Sequence, residues 1–419
     1  MEFVLSSVTP GTTEPSYQTF RSFRERYLNQ YLYDEISDKK ISIGPFWLAH
    51  PRRRQYEGID LVPDGPAVLS GNIFNLWRGW GVEPKKGDWS LLRRHVYEVL
   101  ANGDQKFDDY IIRWGAWTFQ HPGERTGAAL VLRGGKGSGK GVWGDVLMTV
   151  FGEHGLQIFD PTHLTGKHNA HLQNKLFLFA DEAFWAGDKT AERTLKGVVT
   201  EKRMMIEPKG INAFPWPNRM SLYMAANEKW VVPASHDERR YAVGNVNERW
   251  KKNWSYFQPL LAEIAAGAPA AMLYDLERMK LGDWDPMNNV PQTQALLEQK
   301  MFSLDGLEQW WVSMLDAGEL PYPDKKNPRR VNSRFLLDAA QAFSLRNRYV
   351  NETELGTFLG KMGCKHKSNG RNWGWVFPPL HEARTNWSQR SGGWEFLEPD
   401  LEDWGAKPEE PEPNGGATP

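Results

Sequence analysis

The stretch Ala128-Ala129-Leu130-Val131-Leu132-Arg133-Gly134-Gly135-Lys136-Gly137-Ser138-Gly139-Lys140-Gly141 decides the fold. Its apolar run predicts a buried strand, its glycines a tight loop, and the residues from Lys140 to about Phe151 a helix. Strand, glycine-rich turn and helix start together form an anion site, because successive backbone N–H groups and the positive helix end converge on one point. The pattern G-x-x-x-x-G-K fits one register only, Gly134 to Gly139 followed by Lys140; Lys136 would need a glycine at position 130, where leucine stands. Gly134, Gly135, Gly137, Ser138, Gly139, Lys140 and Gly141 are therefore the candidate nucleotide-binding residues. Lys140 is expected to reach the β- and γ-phosphates. Gly141 replaces the Ser or Thr whose hydroxyl usually holds Mg²⁺, so the metal is expected to rely on Asp181, the phosphates and water.

Downstream, Leu176-Phe177-Leu178-Phe179-Ala180-Asp181-Glu182 is an apolar strand ending in two acids. Such a pair divides the labour of hydrolysis, Asp181 organising Mg²⁺ and Glu182 polarising the attacking water. A further strand, Met220 to Ala226, ends in Asn227, placed to orient that water or sense the γ-phosphate. Asp237-Glu238-Arg239-Arg240-Tyr241 sets two arginines before another strand; either pairs with its acidic neighbours or projects into a neighbouring subunit's site. Strands alternating with helices across residues 126–252 predict an α/β motor with a mostly parallel sheet and its ligand at the strands' carboxyl ends.

Around this motor the expectations are coarser. Residues 1–125 read as a helical collar or docking region, with a loose arm to about Ser16 and an amphipathic helix from Tyr17 to Leu32. Residues 253–300 read as a helical connector, 301–400 as a separate small unit with basic clusters, and 401–419 as a disordered acidic tail. The chain has 419 residues, 40% of them apolar, a net charge of −1 and one cysteine, Cys364. Net charge near zero leaves nucleic-acid binding to local basic patches, and the lone cysteine excludes an internal disulfide framework. No apolar run is long enough to span a membrane and no signal peptide is evident, so a cytoplasmic location in a bacterial host is expected. The twenty tryptophans are read mainly as packing residues.

The order of phosphate loop, Asp-Glu strand, Lys–Gly segment, Asn-ended strand and Arg-Arg-Tyr resembles the superfamily 3 helicases, especially the phage, plasmid and poxvirus primase-helicase class. Asn75-Leu76-Trp77-Arg78-Gly79-Trp80 and Gly87-Asp88-Trp89 are similar to phage members as well. The resemblance implies an AAA+-like P-loop ATPase core, ATP and Mg²⁺ as cofactors, and a homo-oligomeric, hexameric ring that moves on single-stranded DNA. It assigns Lys140, Asp181, Glu182 and Asn227 to catalysis, Lys209 and Gly210 to a DNA-gripping hairpin, and Arg240, with Arg239 the alternative, to the arginine finger. Gly141 departs from the broad superfamily pattern. The C-terminal unit resembles a winged helix that would hold duplex DNA, with a packing lid as the alternative. A separate primase or polymerase is the expected partner. The rival readings are an initiator or duplex translocase that does not unwind, a P-loop small-molecule kinase, and a non-catalytic DNA-binding scaffold.

Overall fold

A computed structural model describes residues 4–405 apart from 8–14, 35–37, 161–162, 164–165, 167, 182–188, 209–211, 235–237, 370–371, 392–393, 395, 397–400 and 402. The chain divides into two compact units, residues 1–231 with 239–295, and residues 232–238 with 296–419.

The first unit is built on α1 (Gln105–Gln120), β1 (Ala129–Arg133), α2 (Lys140–Phe151), β2 (Gly155–Ile158), β3 (Phe177–Asp181), α3 (Lys189–Thr200), β4 (Ser221–Ala226), β5 (Tyr241–Asn245), α4 (Trp254–Ala265) and α5 (Ala268–Leu276). The five strands form one sheet in the order β5-β1-β4-β3-β2, every pair parallel. Leu130, Val131, Leu132, Leu178, Phe179 and Tyr223 are buried, as strands covered on both faces require. All five strands run the same way, so the loop after β1, Asp181 at the end of β3 and Asn227 after β4 gather at one end of the sheet.

Between α3 and β4 a hairpin is inserted, Arg203–Ile206 pairing antiparallel with Phe214–Pro217. Asn218 anchors its exit, the side-chain amide donating to the carbonyls of Val198 (2.8 Å) and Glu201 (2.9 Å) at the end of α3. Trp216 is buried, in keeping with a packing role. Lys209 and Gly210 lie outside the described residues.

The N-terminal region departs from the expected helical collar. Val4–Ser7 pairs with Pro15–Gln18 where a loose arm was expected, and the amphipathic helix closes early, at Phe20–Arg26, before a second hairpin. Gly58, Pro63, Gly65, Pro66 and Gly71 then interrupt the chain every few residues, so the residues to Asn75 form a small three-stranded sheet rather than a helix. The Asn75-to-Trp80 motif docks on α2 and the turn after it: Trp77 stacks on His154 (4.8 Å between centroids), and Gly81 N–H donates to the carbonyl of Val150 in α2 (2.7 Å). After the short helices Phe20–Arg26 and Ile43–Ala49, helix resumes at Ser90.

The stretch set apart as a connector packs inside this unit. The Glu263 carboxylate of α4 accepts from the N–H groups of Leu91 and Leu92, both at 2.9 Å, capping the helix that starts at Ser90, and α5 lies on α1. No helix among the described residues is long and apolar enough to cross a membrane.

The second unit comprises α6 (Gly306–Ala317), β6 (Asn327–Asn332), α7 (Ser333–Phe343), α8 (Glu352–Lys361), β7 (Lys365–Asn369), β8 (Asn372–Val376) and α9 (Leu380–Arg390). Capping boxes, Asp305 with Glu308 and Asn351 with Glu354, fix the starts of α6 and α8. β8 lies between β6 and β7, all antiparallel, and the helices bury Trp311, Leu336, Leu359, Phe377 and Trp387. Cys364 joins this core; burial pushes its thiol up to about 12, which keeps it protonated and unreactive. Trp404, in the stretch read as a tail, is also buried there, its indole N–H donating to the Pro378 carbonyl (2.8 Å). Residues 406–419 lie outside the described residues.

Candidate nucleotide site

The loop after β1 has the backbone that its glycines permit. Gly137 and Gly139 adopt φ of +78° and +100°, left-handed values that a side chain would strain. Gly134 N–H donates to the Ala226 carbonyl (3.0 Å), tying the start of the loop to β4. Lys140 is the first residue of the twelve-residue α2, so the positive N-terminal end of the helix faces the loop. Ser138 Oγ is fully buried and has no hydrogen-bond partner among the described residues, as expected of a hydroxyl beside a site for an anion.

The candidate side chains gather at the carboxyl ends of three neighbouring strands. Lys140, only 5% exposed, donates from Nζ to Oδ1 of Asn227 at 2.6 Å. Asp181 stands at the end of the next strand and accepts from the Gln157 amide (3.5 Å). Tyr223, fully buried on β4, donates its hydroxyl to the carbonyl of Lys140 (2.5 Å), and burial raises its pKa well above the usual phenol value, so it stays a donor. Glu182 lies outside the described residues.

Gly141 faces open space: a Cβ built there meets nothing within 4 Å. Asp145, one helical turn further on the same face, has its carboxyl pushed up by burial and then by the charge of Asp181. Asp181 could join a divalent cation whose other ligands are phosphate and water, with Asp145, whose carboxyl feels the Asp181 charge, as a candidate to supplement it. Among the described residues no three His, Cys, Asp or Glu groups cluster to hold a metal unaided.

Arg239 and Arg240 are not brought to this site. The Arg240 carbonyl accepts from Ala129 N–H (2.7 Å) at the amino end of β5, the opposite end of the sheet from Lys140. Within one chain, the five-residue length of β1 separates them from the phosphate loop.

Several contacts escape the sequence pattern. Glu248, just beyond β5, accepts from Gly135 N–H (2.5 Å) and pairs with Lys251 (2.9 Å); the Lys251 ammonium, then that N–H, hold its carboxyl below the usual range. Arg133 ties the carboxyl ends of two strands, donating to Asn245 (2.8 Å) and to the Lys229 carbonyl (2.5 Å). His95, completely buried, bridges Tyr256 OH and the carbonyl of Gly139, each at 3.1 Å. Burial lowers its pKa to about 4, so the ring is neutral at physiological pH. A carbonyl only accepts, which assigns the proton to Nε2 and leaves Nδ1 to accept from Tyr256. A conspicuous signal existed only for Glu248, an acid close behind a strand's carboxyl end.

The family described as "Family of unknown function (DUF5906)" matches residues 132–240, from the loop to the paired arginines. The chain is homologous to the DNA primase-polymerase of Nitratiruptor phage NrS-1, 26% identical over 288 residues, which is 66% of this chain and 38% of that protein. Two solved structures of the NrS-1 C-terminal region, both apo, share the fold. One has a TM-score of 0.62 at 20% identity, covering 87% of this chain and 91% of that one; the other has 0.59 at 19%, covering 86% and 91%.

Proposed function

We propose that this chain is an ATP-dependent, ring-forming DNA helicase that works in phage DNA replication and translocates on single-stranded DNA. The observation that carries the reading is the contact of Lys140 with Asn227 at 2.6 Å beside Asp181, at the end of a sheet where the loop's N–H groups and the start of α2 converge. Lys140 would lose Asn227 to the γ-phosphate when a triphosphate binds, freeing the amide to orient the attacking water. Asp181 would hold the metal, which supplies positive charge to the phosphate oxygens when bound, and Glu182 would take the water's proton. The placement of Arg240 at the far end of its own sheet supports a finger delivered to a neighbouring subunit rather than used at home.

The hairpin Arg203–Pro217 carries Lys209 and Gly210 in its connection, the expected grip on DNA phosphates. The second unit has the helix–strand–helix–helix–hairpin order of a winged helix, and its edge strand exposes Lys365, His366 and Lys367 toward solvent, which supports a role in holding duplex DNA. Homology to a primase-polymerase supports the replication setting, and the chain matches 38% of that protein.

The test is hydrolysis and unwinding by the full chain. ATP turnover should rise with single-stranded DNA and a forked duplex should separate. Turnover indifferent to DNA would favour a small-molecule kinase, and DNA-stimulated turnover without strand separation would favour the initiator or duplex translocase.

A further inference from the structure

Positive charge collects near the start of the chain. Residues 20–54 hold eight lysines and arginines against four acids, while the whole chain carries 51 against 52. A local excess of this kind attracts phosphate whatever the net charge of the molecule.

The same residues form a small folded module. Its two short helices, Phe20–Arg26 and Ile43–Ala49, approach so closely that a Cβ on Gly44 would stand 3.0 Å from the Arg24 Cα. Phe23 is buried between Tyr27 (5.0 Å) and Trp47 (5.1 Å), so that ring is committed to packing. The hairpin between the helices is tied to both: Ile43 N–H donates to the Gln30 carbonyl (2.9 Å), and the Ser42 hydroxyl to the Tyr27 carbonyl (3.4 Å). Tyr31 and Tyr33 are left outside. Two residues apart on one strand, they share a face of the hairpin with their register partners Ser42 and Lys40, whereas Leu32 and Ile41 lie on the other face. Tyr31 is 53% and Tyr33 61% exposed, and the Tyr33 hydroxyl donates to the Asp38 carboxylate, which fixes how its ring stands.

The arginine run divides in the same way. Arg53 turns inward and donates to the Leu48 carbonyl (2.5 Å) and to the Gln55 side chain (2.8 Å). Arg52 and Arg54, on either side of it, are exposed and make no ion pair among the described residues. Cations alone would be an ordinary solvated face; cations beside exposed rings suit a ligand with both phosphates and flat bases. The rise of a strand sets Tyr31 and Tyr33 about 6.7 Å apart, about twice the 3.4 Å spacing of stacked bases, which leaves room for one base between them.

We propose that residues 20–54 bind a single strand of nucleic acid, with bases stacked on Tyr31 and Tyr33 and phosphates held by Lys40, Arg52 and Arg54. This contact is additional to the phosphate grip proposed for Lys209, needs no nucleoside triphosphate, and differs from that grip in reading base faces. A duplex, whose bases are already stacked on one another, fits it poorly.

The test uses the full chain carrying Lys209→Ala, without triphosphate, and fluorescence anisotropy with labelled oligothymidylate, an abasic strand of equal length and a duplex. Oligothymidylate should still bind, and the duplex at least several-fold more weakly. Adding Tyr31→Ala with Tyr33→Ala should weaken oligothymidylate at least about tenfold and the abasic strand less than about twofold. Adding Arg52→Ala with Arg54→Ala should weaken both strands and reduce the salt slope by about 1.4. All four side chains are exposed, so the fold should survive, which circular dichroism checks. An irradiated strand bearing 5-iodouracil should label the peptide containing Tyr31 and Tyr33. Equal losses on both strands from the tyrosine pair, tighter binding of the duplex, or labelling confined elsewhere would overturn the proposal. So would variants that leave the strands unchanged and instead lose binding to vesicles of anionic phospholipid, which would make the module a membrane surface.

Discussion

In the first unit, charged and polar side chains are buried near a parallel sheet, each held by one or two named partners: Lys140 by Asn227, Asp108 by Arg93, His95 by Tyr256 and Gly139. In the second, the lysines and histidine of β7 line an exposed edge strand, and the buried Arg384 serves the backbone, donating to the Leu315 carbonyl (3.0 and 2.7 Å) near the end of α6. A parallel sheet covered on both faces leaves its strand ends as the place for chemistry, so each polar group there is individually consequential. An antiparallel sheet with an open edge spreads its charge over a surface, where each group counts for little alone.

The sharpest way to break that contrast is Lys140→Ala. ATP hydrolysis should fall by at least about 100-fold in a steady-state assay, the scale on which losing one positioned charge at a reacting centre is felt. A residual rate within a few-fold of the original would remove Lys140 from catalysis.

Arg93→Ala probes the same concentration of effect in stability. Arg93 makes two bonds to Asp108, Nη1 to Oδ1 at 2.7 Å and Nη2 to Oδ2 at 2.6 Å, and the Asp108 side chain is fully buried. Removing the guanidinium leaves a buried carboxylate without its main counterion, and urea unfolding should show a loss of about 3 kcal/mol.

Acid should act through His95. The folded state holds its pKa near 4, below the 6.5 of the unfolded chain, so between those values the unfolded state binds more protons and stability falls as pH falls. The contribution is complete above about pH 6.5 and lost on descending to about 4, worth up to about 3 kcal/mol. His154, also lowered by burial, adds a slope of the same sign. His95→Gln should flatten the pH dependence of the unfolding free energy by up to one proton; an unchanged slope would refute the neutral buried ring.

The smallest effect is expected where charge is dispersed. Lys365→Ala with Lys367→Ala should weaken duplex DNA binding only several-fold and reduce the salt slope by about two, with hydrolysis at low DNA concentration unaffected. An unchanged slope would mean that these lysines only guard a sheet edge against pairing.

The strands of the parallel sheet and the loop after β1 were legible because each is written locally, as an apolar run followed by glycines or acids. The strand order was not: nothing near Met220–Asn227 announces that β4 inserts between β1 and β3, yet that insertion brings Asn227 to Lys140. His95 sits in an ordinary helical pattern and gains its role from Gly139, 44 positions away. Trp404 looked like part of an acidic tail because hydropathy over a window hides one ring that fills a core. The helical reading of residues 1–125 missed the strands before Asn75 for a local reason that was visible, the closely spaced Gly and Pro residues there.

The hairpin Arg203–Pro217 joins β4 at its amino end, whereas Asn227 follows its carboxyl end. Six fully buried residues lie between, about 20 Å at the rise of an extended strand. β4 is thus a stiff rod between the two. Its registers with β1 and β3 leave it no room to slip, because a shift of one residue would turn Tyr223 away from the Lys140 carbonyl. Any displacement at the loop end of β4 would therefore tilt or translate the strand with its neighbours, so that the sheet moves as a plate and the hairpin sweeps as its outrigger.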